Sequence, residues 1–235
     1  MDLRRWRWIG LLLAIVLVAA ACSDDDGGDG DATTTTAADE ETTADEEGAG
    51  GVKFDEALSD EVLVSADDPW PPGGFEVEAA AAHELDEIWP ADVFPDERAA
   101  YEEAGFQDGI LTFFDDTADG EFAGGFSAAH RFPDAESAAA ALALVETWHR
   151  DPVNVAPTFG LDPEMLPMVE EISGVDLGDE AVAFKHTDGE FFTVVVVVWR
   201  TDNVVHILRA GTVPDDVERE TGVVDLAVAI DERIC

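Results

Sequence analysis

Five segments of the chain have the apolar pattern of β-strands. Two precede a long alanine-rich stretch and three follow it, and short polar turns separate the members of each group. The segments are residues 106–115, 121–132, 180–186, 190–200 and 203–212. Because such short links join strands that run in opposite directions, we expect antiparallel pairing within each group.

One of these segments is apolar without interruption. Residues 194–198 are all valine, whereas a strand with one face in water alternates apolar and polar side chains. We therefore expect this strand to be covered on both faces and to lie at the centre of the sheet.

Three helices are predicted between and after the strands. The segment 96–104 has acidic residues in its first turn and ends before Gly105. The segment 135–149 is rich in alanine, and its apolar stripe recurs at helical spacing. The stripe consists of Ala138, Ala141, Leu142, Val145 and Trp148. The last helix begins near Pro214 and continues to about Ile234, with Asp215 and Asp216 in its first turn.

The order of these elements predicts the fold class. Residues 151–179 contain many prolines and glycines and predict a loop with one helical turn near 164–172. The resulting order is αββα-loop-βββα. It favours an α+β domain with an antiparallel sheet of about five strands and helices packed on one face.

The first 22 residues have the pattern of an export signal. Arg4, Arg5 and Arg7 precede an apolar run at residues 8–21, and this run ends in three alanines followed by Cys22. The run is 14 residues long, which is short for a membrane-spanning helix of about 20 residues. We expect a signal peptide at residues 1–21.

The alanines followed by Cys22 resemble the lipobox of bacterial lipoproteins, although Ala19 stands where that family usually has leucine. The resemblance implies that the sulfur of Cys22 carries a diacylglyceryl group and that cleavage makes it the new N-terminus. Two or more acyl chains give stable membrane anchoring. The alternative is an ordinary signal peptide or an uncleaved anchor.

An acidic tether and a single domain follow. Residues 23–51 contain 11 acidic residues and no basic or aromatic residue, so they bury too little apolar surface to fold. We expect residues 22–51 to be a lipidated cysteine with a disordered acidic tether, and residues 52–235 to be one α+β domain.

Net charge excludes one class of partner. The chain has 54 acidic and 12 basic residues, a formal charge of -42. Nucleic-acid affinity depends on basic side chains that displace counterions from phosphates, so we expect no nucleic-acid partner. Residues 52–235 carry 42 of the acids and nine of the bases, so the folded surface is itself acidic.

Catalytic and metal-binding motifs are scarce. The sequence has no HExxH, CxxC, GxSxG or Walker loop. Residues 115–120 resemble the start of an EF-hand, but Phe126 occupies the twelfth position, so we expect a hairpin turn. Alternation places His130, His186 and His206 on apolar strand faces. We expect structural roles for them, and a shared metal or base site is the alternative. No cofactor or metal is expected.

Four bases on strands are candidates for anion binding: Arg131, Lys185, Arg200 and Arg209. A basic cluster in an acidic domain would concentrate an anionic ligand. The alternative is that these bases pair with carboxylates of the helices, such as Glu136, Glu146, Glu218 and Glu220.

The segment 178–184, with the hairpin and helix after it, resembles uncharacterised sensor-like or ligand-binding domains of bacterial surface lipoproteins. Together these features predict a membrane-anchored extracytoplasmic lipoprotein. We expect no enzymatic activity and a small anionic ligand or an envelope protein as partner. The alternatives are an assembly subunit of an envelope complex or a hydrolase.

Overall fold

Apolar strand segments pair into one antiparallel sheet, because each can bury its side chains only beside another strand and beneath a helix. The computed structural model describes residues 54–69, 75–116, 124–156, 167–189, 193–212 and 216–235. Within these ranges the strands are β1 (Phe75–Val77), β2 (Ala81–Ala82), β3 (Asp108–Asp116), β4 (Gly124–Arg131), β5 (Met168–Glu171), β6 (Glu180–Thr187), β7 (Thr193–Thr201) and β8 (Val204–Thr212).

The strand order is β1-β3-β4-β8-β7-β6-β5, with β2 also paired to β3. All pairs are antiparallel. Gly125 of β4 shows why a side chain is excluded at that position, since a Cβ there would collide with the carbonyl oxygen of Arg209 on β8. A glycine inside a strand is typical of such a close backbone approach.

The valine strand has the predicted environment. β7 lies between β8 and β6, and the side chains from Val195 to Val198 are fully buried. Its alternate residues contribute to two different hydrophobic clusters. The prediction of an interior strand covered on both faces is confirmed.

The predicted strand count was wrong. The described residues form eight strands rather than about five. Two of the additional strands, β1 and β2, are only three and two residues long. The third, β5, lies where the sequence predicted a loop with a helical turn. The segment Met168–Glu171 instead pairs with β6 at the edge of the sheet.

Five α-helices accompany the sheet in the described residues: α1 (Leu85–Ile88), α2 (Pro95–Glu103), α3 (Ala135–Arg150), α4 (Pro152–Val155) and α5 (Val217–Ile234). The predicted stripe of α3 is buried at every position. α2 ends before Gly105, which has a φ of 80°, so this predicted stop is also confirmed.

The two long helices cover opposite faces of the sheet. α3 packs with Val194, Val196 and Val198, whereas α5 packs with Val195 and Val197. We call these surfaces the α3 face and the α5 face. The prediction that the helices pack on one face was wrong, because strand alternation makes β7 apolar on both sides and each side needs a cover.

An N-terminal strap, residues 54–68, packs against the sheet beside α5. The buried side chain of Asn203 accepts a hydrogen bond from the backbone N–H of Phe54 (3.0 Å) and donates one to its carbonyl (3.1 Å). Arg233 of α5 donates to the carbonyl oxygens of Glu61 and Leu63. These bonds join the strap to the sheet and to α5.

All described residues belong to one unit of the chain, Ala49–Cys235. The expected signal peptide, Cys22 and the tether at 22–51 lie outside the described residues, as do residues 117–123 of the β3–β4 turn and residues 213–215 before α5. None of the helices in the described ranges has the length and apolar character needed to cross a membrane.

Candidate functional site

The α3 face differs from an ordinary aliphatic core in its content of ring side chains. Six aromatic rings form a network of edge-to-face and tilted contacts beneath α3 and α2. They are Trp89, Phe94, Tyr101, Phe106, Phe132 and Trp148. Two groups of histidines are built into this layer, and they make it the candidate functional site.

The first group is a chain of hydrogen bonds that begins inside the core. The phenol oxygen of Tyr101 lies 3.0 Å from Nδ1 of His130. Nε2 of His130 lies 3.0 Å from Nδ1 of His83. Tyr101 and His130 are fully buried, whereas His83 is half-buried. The chain therefore connects a buried phenol to the protein surface.

Burial keeps both imidazoles of this chain neutral. It lowers the pKa of His83 to about 4, although the nearby Glu87 carboxylate acts in the opposite direction. The pKa of His130 falls well below the ordinary value, mainly through burial and then through repulsion by His83 and His206. Burial also raises the pKa of Tyr101. At neutral pH all three groups are uncharged.

The second group lies at the C-terminal end of α3. His186 of β6 donates a hydrogen bond from Nε2 to the backbone carbonyl of His149 (3.1 Å). The two rings stack with centroids 5.3 Å apart, and His149 also stacks on Phe184 at 6.1 Å. Burial lowers the pKa of His186 to about 4 and holds that of His149 well below its ordinary value.

Arg209 of β8 lies close to this second group. Its register partners on either side are Phe126 and Val196, both on the α3 face. Burial lowers the pKa of Arg209 to about 10, and after burial the charge of this guanidinium is a further cause of the low pKa of His149 and His186. Arg209 still carries its charge at neutral pH.

The three strand histidines do not converge. His130 and His186 lie on the α3 face, whereas His206 stacks on Trp199 at 4.8 Å on the α5 face. Burial lowers the pKa of His206 to about 3. Across the described ranges, no three His, Cys, Asp or Glu side chains form a group that could hold a metal ion.

The four candidate anion-binding bases are divided between the two faces. Strand alternation places Arg131 and Lys185 on the α5 face, and Arg200 and Arg209 on the α3 face. They therefore do not form a single patch. Anion binding by them stays a prediction.

Carboxylates lie beside Arg131, Lys185 and Arg200. Arg131 forms an ion pair with Asp108 of β3. Nζ of Lys185 lies 2.6 Å from a carboxylate oxygen of Glu220 on α5. Arg200 donates to Asp179 (2.9 Å) and to the backbone carbonyl of Asp202 (2.9 Å). Glu220 is one of the four acids that the sequence suggested as partners.

Two surface pockets lie away from the α3 face. They have volumes of about 420 and 350 Å³, and both are lined by the strap and by Arg233. Arg233 is engaged there by Asp68 and by backbone carbonyls of the strap. The pockets are features of the strap rather than of the histidine groups.

His83, Tyr101 and His149 were not predicted from the sequence as members of the site. His149 could have been found, because it follows Val145 of the apolar stripe by four residues and so continues the same face of α3. His83 lies in a segment whose apolar residues follow neither helical nor strand periodicity. Its contact with His130 joins residues 47 positions apart, and no local pattern encodes such a contact.

No family model and no curated protein matches the chain. Two solved structures are similar to it. The extracellular domain of PknH from Mycobacterium tuberculosis has a TM-score of 0.38 and 12% identity over 67% of this chain and 85% of that one. An uncharacterized protein from Mycobacterium smegmatis, the Rv0999 ortholog, has a TM-score of 0.35 and 15% identity over 69% of this chain and 90% of its own. Similarity this slight supports no inference about fold or function.

Proposed function

We propose that the chain is a lipid-anchored protein of the extracytoplasmic side whose domain binds a small anionic ligand on the α3 face and catalyses no reaction. The location is supported by the basic, apolar and Ala-Ala-Ala-Cys22 pattern at the N-terminus, followed by an acidic segment. Acids near an anionic lipid surface are repelled, so such a tether holds a domain away from the membrane.

The observation that supports an anionic ligand is the position of Arg209. A guanidinium flanked on both neighbouring strands by apolar side chains, and close to two neutral imidazoles, is only partly exposed to water. An anion at this place gains a charge-assisted hydrogen bond in surroundings where such bonds are strong. The proposed site centres on Arg209 because this base lies beside His149 and His186 in the layer that holds the histidine groups.

Isothermal calorimetry with phosphate, sulfate and small carboxylates tests the ligand. We expect heat of binding at low salt that decreases at high salt. Arg209→Met should abolish the heat, and circular dichroism checks that the variant is folded. Arg131→Met is the matched control, since it removes the same charge from the other face. Absence of heat with all three anions, or equal loss in both variants, would contradict the proposal and favour the assembly-subunit alternative.

The anchor is tested separately by the mass of the protein extracted from membranes. We expect a mature N-terminus at Cys22 with added diacylglyceryl mass. Cys22→Ala should remain uncleaved or be released from the membrane. A protein that begins at Cys22 without added mass would contradict lipid anchoring and leave the anion site unaffected.

A further inference from the structure

Tyr101 is the only tyrosine of the chain. It belongs to α2, and its side chain is fully buried. Within the described residues, the hydrogen-bond partner of its hydroxyl is Nδ1 of His130. A buried hydroxyl needs an acceptor for its hydrogen. Tyr101 therefore donates to His130, and Nδ1 of His130 carries no proton.

This assignment determines which group donates in the next hydrogen bond, between His130 and His83. A neutral imidazole has one N–H and one acceptor nitrogen, so the proton of His130 is on Nε2 and points to Nδ1 of His83. The proton of His83 is then on its own Nε2. Each group donates toward the surface, and the chain is a directed path for protons from the phenol to the half-buried His83.

Tyr101 also touches Trp89, and Trp89 in turn touches Trp148. The ring centroids of Tyr101 and Trp89 are 5.8 Å apart, and those of Trp89 and Trp148 are 5.7 Å apart. Indole and phenol are among the side chains that lose one electron most easily. The indole N–H groups of Trp89 and Trp148 are buried without hydrogen-bond partners, so an oxidised indole here has no neighbour to take its proton.

We propose that these residues form a proton-coupled electron relay that transfers oxidation from the tryptophans to Tyr101. A one-electron oxidant of the inorganic-radical class takes an electron from the Trp148 or Trp89 indole and is itself reduced by one electron. Tyr101 returns an electron to the indole radical cation. Its O–H bond breaks, and the proton passes to Nδ1 of His130.

The remaining proton steps balance the reaction. The Nε2 proton of His130 moves to Nδ1 of His83, and the Nε2 proton of His83 leaves to solvent. The protein has then lost one electron and one proton, and the product is a neutral phenoxyl radical on Tyr101. The hydrogen bond to His130 supplies the proton acceptor that oxidation of a buried phenol requires.

Pulse radiolysis of the full chain with azide radicals, which oxidise indole in preference to phenol, tests the relay. We expect an indole radical signal that converts to a phenoxyl signal at a rate independent of protein concentration and slower in D₂O. Because the chain has one tyrosine, any phenoxyl signal comes from Tyr101. Absence of the conversion, or a rate that rises with protein concentration, would overturn the proposal without any variant.

Variants then test the two paths. Trp89→Phe should lose most of the conversion, whereas the matched control Trp199→Phe, a buried indole on the α5 face, should retain it. His83→Phe should slow the conversion and reduce its solvent isotope effect by removing the proton exit. Equal effects of the two tryptophan variants would refute the electron path, and an unchanged rate in His83→Phe would refute the proton path.

Discussion

The two faces of the sheet are each covered by a long helix but differ in chemistry. Beneath α5 the core consists mainly of aliphatic side chains, among them Val195, Leu208 and Leu226. Beneath α3 it contains aromatic rings, hydrogen-bonded histidines and a charged guanidinium close by. Aliphatic side chains contribute only packing. The polar atoms of the α3 face need hydrogen-bond partners, and burial lowers the pKa of its histidines. The aromatic network and the hydrogen-bonded histidine groups therefore lie on one side of a single sheet.

The largest expected effect tests whether both faces are closed. Val196 and Val197 are adjacent in β7 and point to opposite faces. Val196→Asp and Val197→Asp each place an unpaired carboxylate in an apolar core, and each should lower the free energy of unfolding by about 5 kcal/mol, comparable to the whole stability of many domains. Circular dichroism melting of the two variants measures this. A variant that melts with the parent would show that its face is open.

A buried leucine on each face tests how far the surrounding side chains relax into a cavity. Leu142 of α3 and Leu226 of α5 are both fully buried. Each change to alanine should cost about 2–5 kcal/mol of unfolding free energy. We expect Leu142→Ala at the upper end, because the rings on the α3 face are held by contacts to one another and move less into the cavity. Urea denaturation gives both values, and a larger loss for Leu226→Ala would contradict this reasoning.

Acid should weaken the fold through its histidines. Burial holds the pKa of His83 and His186 near 4 and that of His206 near 3, whereas the unfolded chain binds these protons near pH 6.5. Between about pH 6.5 and 4 the unfolded state thus binds more protons, and stability falls as pH falls. The slope is up to about 1.4 kcal/mol per pH unit for each histidine that stays neutral in the fold.

Urea unfolding at several pH values measures this slope. His206 is the histidine of the α5 face. His206→Phe should lower the pH dependence of the unfolding free energy by the contribution of one histidine, while a ring still stacks on Trp199. The other four histidines contact residues of the α3 face, and most of the acid sensitivity should remain in this variant. If stability no longer depends on pH in His206→Phe, the acid sensitivity comes from the α5 face and the prediction is wrong.

The smallest expected effect compares the N-caps of the two covering helices. Asp134 accepts a hydrogen bond from the backbone N–H of Ser137 at the start of α3 (2.8 Å), and Asp216 accepts one from Arg219 at the start of α5 (3.1 Å). Asp134→Ala and Asp216→Ala should each cost about 1 kcal/mol. Thermal melting of both variants checks this, and a loss as large as that of a core leucine would mean that the caps have a further role.

Several elements were predictable from local pattern. The prediction of the apolar stripe of α3 was right at all five positions, because helical spacing and alanine content agree over four turns. The valine strand was right because an uninterrupted apolar strand has to be covered twice. β5 was missed because Met168–Glu171 has little apolar pattern and owes its strand conformation to pairing with β6.

The candidate site was predicted only in part. His130 and His186 were placed on apolar faces by alternation, but their partners come from other elements. Tyr101 meets His130 across 29 residues, and His149 meets His186 across 37. The four bases show the same limit. Alternation assigned each to a side of its own strand, but strand order decided that they separate.

The sequence by itself determined the buried stripe of α3 and the doubly covered valine strand, because helical and strand periodicity are properties of a single segment. Only the tertiary structure decided that α3 and α5 cover opposite faces, and that Tyr101, His130 and His83 meet in one chain of hydrogen bonds. The physical reason is that periodicity specifies that a side chain is covered but not by what. The covering partner depends on strand order and on how the connections cross the sheet, which are properties of the whole chain.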